Sequence, residues 1–214
     1  MPRVIFIDVV GALSALLVWY FCFARYNHRK ALQVLQWVRS ACAERGQVTK
    51  IAWAGSGRLF AELRFPPHVF EHARVVVSLL PRPLPLNWAI CRWRKQKETL
   101  SFEADLYVAP RFQLEVHNHR WSGHSGSVAP GDWIISRPGP IVLTGRSKWN
   151  NELSPVIHTL ISSRDRHFAT VRFSPKSPHF SATLELDTLE EHPADGRWLE
   201  ALRELAAGSS TSRQ

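Results

Sequence analysis

The N-terminal apolar run constrains this chain more than anything that follows it. "VIFIDVVGALSALLVWYFCFA", Val4 to Ala24, carries a single charge at Asp8, and only Gly11 and Ser14 otherwise interrupt it. A bilayer core of roughly 30 Å needs about 20 helical residues, so the run predicts one uncleaved transmembrane helix. Trp19, Tyr20 and Tyr26 gather at its C-terminal end, where amphipathic rings settle at headgroup depth. A cleaved signal peptide fits less well, because only Arg3 precedes the run and "YFCFARYN" offers no small-x-small cleavage site. Bulky Trp19, Tyr20 and Phe21 ahead of Cys22 argue against lipid attachment at that thiol.

Basic residues near the two ends set the expected orientation. Arg3 stands alone on one side, whereas Arg25, Arg29, Lys30 and Arg39 follow the other. That excess predicts a single-pass protein with a cytoplasmic C-terminal region. Asp8 lies about a turn from the start of the run, near the positive end of the helix dipole, and reads as a tolerated edge carboxylate. The alternative is a polar contact with a partner helix, which the small residues Gly11, Ala12 and Ala15 would allow to approach closely.

The remainder has the composition of a folded region. Of 214 residues, 45% are hydrophobic, enough for a core, and the net charge of +9 points to an acidic partner, anionic lipid ahead of nucleic acid. Cys22, Cys42 and Cys91 are odd in number and widely spaced, which gives neither a disulfide framework nor a zinc knuckle. They read as small hydrophobes in a reducing compartment.

Periodicity predicts an α+β plan of largely antiparallel sheet with a few packed helices. Residues 1–27 form the anchor. In 28–121, Leu32, Leu35, Val38 and Cys42 recur at helical spacing, with Ala31, Val34 and Ala41 beside them; that helix is free to continue the first, since nothing between Ala24 and Arg29 breaks it. Gly55-Ser56-Gly57 then joins two alternating strands, with Leu59, Ala61, Leu63 and Phe65 facing inward. "ARVVVSLL" reads as a third strand, closed by Pro81, Pro83 and Pro85. "NWAICRWR" and "ETLSFEADLYV" are expected as strands around a charged turn at Lys95 to Lys97. Residues 122–149 read as a Gly/Ser/Pro-rich connection holding a short strand near Trp133 to Ile135. Residues 150–207 read as a helix, a hairpin through "SPKSP" and a closing helix, and 208–214 as a disordered tail. Helix followed by hairpin thus recurs at 28–65 and 150–187, an order that two helix-plus-hairpin units would explain.

The histidines in "EVHNHRWSGHSG" raise metal chemistry. If Phe112, Leu114 and Val116 face the core, Glu115, His117 and His119 share the other face, because side chains two apart on a strand project the same way. Two imidazoles so placed can share one ion, and His124 offers a third ligand. His-x-His followed by "APGDW" is similar to part of the cupin pattern, but the strand between those elements has no room here and the later histidine is missing. Gln113 and Glu115 accompany the imidazoles, as on a wet strand face, and His124 sits among glycines and serines. The expectation is therefore a structural strand with no metal and no cofactor.

No Walker loop, dinucleotide fingerprint or nucleophile elbow occurs in the chain. Arg92, Arg94, Lys95 and Lys97, grouped around Trp93, read as a basic hairpin tip. Together with Arg25, Arg29 and Lys30 they are the candidates for contact with a membrane surface. The sequence reading is a membrane-anchored, non-enzymatic interaction or scaffold module. Its expected partners are the bilayer, anionic headgroups and a protein of unknown identity, with nucleic acid last. The rival reading is a membrane-tethered metal-dependent enzyme using Glu115, His117, His119 and His124.

Overall fold

A computed structural model describes residues 2–43, 46–66, 70–110, 112–118, 134–136, 141–145, 168–187 and 197–210. Its first element is one unbroken helix, α1, from Pro2 to Cys42. No proline follows Pro2 within it, and Gly11 is the one glycine, so nothing in the sequence breaks the ladder. At 1.5 Å per residue its 41 residues reach about 60 Å. By length and composition the helix is able to cross a membrane, and the most apolar 18-residue window in it has none of its residues buried in the rest of the protein.

The helix ends where Gly46 donates its N–H to the Cys42 carbonyl at 2.8 Å. A side chain is excluded at Gly46, because a Cβ there would stand 2.7 Å from the Phe65 ring and 2.9 Å from the Arg64 carbonyl oxygen. The strands follow as β1 (Gln47–Ala54), β2 (Arg58–Arg64), β3 (Phe70–Ser78), β4 (Thr99–Leu106), β5 (Leu114–Asn118), β6 (Ile134–Ser136), β7 (Ile141–Gly145), β8 (Phe168–Phe173) and β9 (Phe180–Glu185). They form one sheet in the order β1-β2-β3-β4-β9-β8-β5-β7-β6, and all its pairings are antiparallel. The expected α+β class with an antiparallel sheet is the observed one. Among the described residues two more helices occur, α2 (Pro85–Trp93) and α3 (Arg197–Ser210).

Strand alternation decides which face is covered. Leu59, Ala61 and Leu63 of β2, Val75 and Val77 of β3, and Leu100, Phe102 and Ala104 of β4 are buried, and their neighbours in the chain are less so. Phe173 and Phe180 extend this layer. The second half of α1 packs with it through Ala31, Val34, Leu35, Val38 and Cys42, and α3 through Trp198, Leu199, Leu202 and Leu205. Trp37 stacks on Trp198 with centroids 5.2 Å apart, joining the two helices. Leu32 is 40% exposed, so the covered stripe is turned toward Ala31 and Val34 rather than centred on Leu32.

Several expectations meet the sheet directly. Gly55 has φ +68°, the left-handed conformation the β1–β2 turn requires, and β8 and β9 pair as a hairpin through Phe173 and Phe180. Leu114 and Val116 are buried as predicted, and Phe112 with them. Three corrections are needed. "NWAICRWR" is not a strand: Pro85 opens α2, where its fixed φ suits the first turn. β4 therefore has no strand partner at 87–94; it pairs with β3, on the far side of α2 in the chain, and with the distant β9. The 122–149 stretch holds β7 as well as β6, and α3 runs on to Ser210, into the segment read as tail. The helix expected in "ELSPVIHTLISSR" lies outside the described residues.

Candidate functional site

A polar joint ties α1 to the sheet at the point where α1 passes from uncovered to covered. Its centre is Glu98, just ahead of β4 and 4% exposed. The Lys30 ammonium lies 3.0 Å from one carboxylate oxygen. The other oxygen accepts from the Leu80 N–H at 3.0 Å and from the Arg82 guanidinium. Asn27, fully buried, completes the joint. Its Nδ2 donates to the Leu80 carbonyl at 2.9 Å and to the Ser56 carbonyl at 3.2 Å, and its Oδ1 accepts from Arg82 at 3.2 Å. Both donors and the acceptor of that amide are thus used, which is what burial of an amide demands.

Burial alone would push the Glu98 carboxyl up. Hydrogen bonds from Arg82, the Leu80 N–H and Lys30, with the Arg82 charge, outweigh it and hold the group below the usual carboxylate range. A buried ion pair of this kind adds little net stability compared with apolar packing, but losing one member is costly. Its members come from α1, from the loop after β3 and from the residue just ahead of β4, so it links α1 to the sheet.

Aromatic contacts extend the joint along α1 toward its N-terminus. Arg82 lies over the Tyr26 ring at 5.0 Å. Trp19 donates its Nε1–H to the Arg82 carbonyl at 3.0 Å, and its ring lies 6.1 Å from Trp88 of α2. Trp19, Phe23, Asn27 and Lys30 recur at helical spacing, so one face of α1 carries the whole connection.

The structure distributes the predicted site residues unevenly. Trp19 and Tyr26 join this cluster, while Tyr20, 44% exposed, meets Phe21 edge-on with ring centroids 5.7 Å apart. Lys30 engages Glu98, and Lys97 pairs with Glu185 at 2.6 Å. Arg92 sits 5.8 Å over Trp88, and Arg94 and Lys95 are exposed at the end of α2. Arg29 is exposed on α1. Arg25 lines a groove of about 480 Å³ with Phe21, His28, Trp53 and the β1–β2 turn at Gly55 and Ser56. His28 stacks on Trp53 at 4.4 Å within it.

Glu115 is half-buried on β5. The backbone of His117 stands opposite Val142 of β7 and Thr170 of β8. His119 and His124 lie outside the described residues. Among the described residues no group of three His, Cys, Asp or Glu side chains is placed to hold a metal ion.

Sequence reasoning missed Asn27, Arg82 and Glu98. Asn27 had a detectable signal: it stands four and seven residues before Ala31 and Val34, on the stripe that becomes core. A polar residue at such an angle implies a buried partner. Arg82 and Glu98 are far apart in sequence, and only the fold brings them together. Comparison with protein-family models and with curated proteins yields no match to this chain.

Proposed function

We propose that this chain is a single-pass membrane protein whose α+β region lies on the cytoplasmic side and acts, without catalysis, as an interaction or scaffold module at the membrane surface. One observation carries the reading: α1 is continuous from an apolar stretch of which no residue is buried into the hydrophobic core. A soluble protein would expose that stretch to water at a large hydrophobic cost. Trp19, Tyr20 and Tyr26 fit a headgroup belt, and Arg25, Arg29 and Arg39 fit the cytoplasmic side. Exposed Arg25 and Arg29 are placed to meet anionic headgroups, each contributing about 1 kcal/mol near such a surface. A protein partner has β1 to meet: it is an end strand of the sheet, eight residues long and mostly exposed. A strand in that position offers its free backbone edge for pairing.

Three measurements test this. Alkaline phosphatase and a fluorescent protein are fused in turn to the C-terminus; a bright fluorescent fusion with little phosphatase activity is expected, and the reverse pattern overturns the orientation. Full-length protein should resist carbonate extraction, and its release would sink the span. For the interaction role, photo-crosslinking residues replacing Thr49 or Ile51 on β1 should give a discrete adduct in native membranes. Absence of any adduct at both positions would remove the support that β1 lends.

A further inference from the structure

We infer that α2 is a second membrane element, a short interfacial helix that lies in the plane of the bilayer surface, its apolar side in the outer acyl region and its basic end among anionic phospholipid headgroups. The inference rests on the reading of α1 as a membrane span.

The first observation is that α2 buries none of its residues. A nine-residue helix is too short to persist on intrinsic propensity alone, so something must cover its apolar side. Leu86 is 80% exposed, Ile90 46% and Trp93 85%. These positions stand four and three apart, which places them on one face of a helix. Leu84, at the N-cap, adds another exposed apolar side chain, 50% exposed.

The second observation is depth. α2 is attached to α1 at Trp19, through the Trp19–Trp88 contact and the hydrogen bond from Trp19 to the Arg82 carbonyl. Trp19 lies five residues before Ala24, the end of the apolar run. At 1.5 Å per residue that is about 7–8 Å inside the boundary. Interfacial helices lie about 5–10 Å into the headgroup and acyl boundary. The attachment point alone sets α2 at the right level.

The third observation is charge. Arg92, Arg94 and Lys95 are exposed at the C-terminal end of α2. Lys95 adopts φ +52°, so the chain turns sharply there before β4 begins at Thr99. The cations thus lie where the chain leaves α2 for the sheet. Continuity with the uncovered surface of α1 selects lipid over a protein as the cover, because both surfaces are exposed and meet at Trp19.

The test uses the full-length, unmodified chain in bilayers of phosphatidylcholine with phosphatidylglycerol. Two photoreactive phospholipids are compared, one with its diazirine near the headgroup and one with it at the acyl terminus, and adducts are mapped by mass spectrometry. The shallow probe should label residues 84–93 and α1 around 19–24; the deep probe should label α1 around 9–14 and spare α2. Label on α1 with none on α2 overturns this inference alone. Deep-probe label on α2 overturns it as well, since the helix would not be interfacial. Absence of label on both helices overturns the span and the inference together. In a second arm, the variant Leu86→Ser/Ile90→Ser/Trp93→Ser should lose shallow label on α2 several-fold and keep the label on α1. Unchanged label on α2 in that variant would show that these side chains do not hold it in the lipid.

Discussion

The two halves of α1 share a helix but differ in what surrounds them. In the first, Ile5, Phe6 and Ile7 are consecutive and all more than 60% exposed, and Leu13, Leu16 and Leu17 are more than half exposed. In the second, Ala31, Val34, Leu35, Val38 and Cys42 are all buried, while Gln33, Gln36 and Arg39 are exposed between them. Apolar residues run all round the first half and along one stripe of the second. An all-round pattern asks for an apolar environment on every side, and a stripe asks for one partner. The joint of Asn27, Lys30, Arg82 and Glu98 sits where one pattern gives way to the other. There the helix can carry polar side chains inward, because the loops at Ser56 and Leu80 supply carbonyls to meet them.

The largest expected effect is at that joint. Glu98→Ala leaves the Lys30 and Arg82 cations beside each other without their carboxylate, and breaking a buried pair in this way costs about 3–5 kcal/mol. Thermal or denaturant unfolding of the detergent-solubilised protein should show it. Glu62→Ala, at an ion pair whose members are both more than half exposed, should unfold like the wild type. Equal behaviour of the two variants would mean that the joint does not hold the halves together.

Truncation inside each half comes next. Leu35 is 2% exposed, and Leu35→Ala should destabilise the folded region by about 2–5 kcal/mol through lost burial and a cavity. Leu17, 58% exposed, contacts no core, so Leu17→Ala should leave the unfolding of that region unchanged. A comparable loss at Leu17 would show that protein, not lipid, covers the first half.

This contrast was partly legible in the sequence. The length of the apolar run, the one-sided stripe after it, the Gly55-Ser56-Gly57 turn and the alternation of Leu114 and Val116 are local patterns, and they read directly. What failed was non-local or short. "NWAICRWR" is as apolar and aromatic as a strand and too brief for a helical period to stand out, so its sequence suggests a strand after the prolines, whereas Pro85 opens a helix. The pairing of β4 with β9 joins Thr99 to Glu185, and no local pattern encodes such a distance. The same holds for Glu98: its neighbours Lys95 and Lys97 suggest a solvated turn, whereas its partners come from α1 and from the loop after β3.

Acid should affect the halves differently. The folded Glu98 carboxyl lies below its ordinary value of 4.5. Its contribution is therefore present above about pH 4.5 and is lost as pH falls through the folded value. The wild type should lose stability across that acidic window, and Glu98→Gln, with nothing to protonate there, should show a flatter acid limb from a lower starting stability. Carbonate-resistant membrane association, which depends on the first half, should be the same in both. An acid limb of equal slope in the variant would assign the loss to other carboxylates.

The smallest effect, and the sharpest probe of the comparison, is the reactivity of two thiols on the one helix. Cys22 is exposed near the end of the first half, and Cys42 is buried at the end of the second. Burial pushes the Cys42 thiol up to about 11, from an ordinary 9.0. The thiolate is the reactive form, and a displacement of about two pH units leaves about a hundredfold less of it at neutral pH. Its proton is bound throughout the physiological range, so any stabilisation from the neutral thiol is complete below about pH 9.0 and is lost as pH rises from there through about 11. In protein reconstituted into bilayers, an apolar maleimide that partitions into lipid should modify Cys22 and spare Cys42. Denaturation should then release Cys42 to the same reagent. Modification of Cys42 in the native protein at the rate of Cys22 would mean that the second half is not held against the sheet. Modification of Cys22 by a charged, impermeant maleimide as fast in the reconstituted protein as after denaturation would mean that water, not lipid, surrounds the end of the first half.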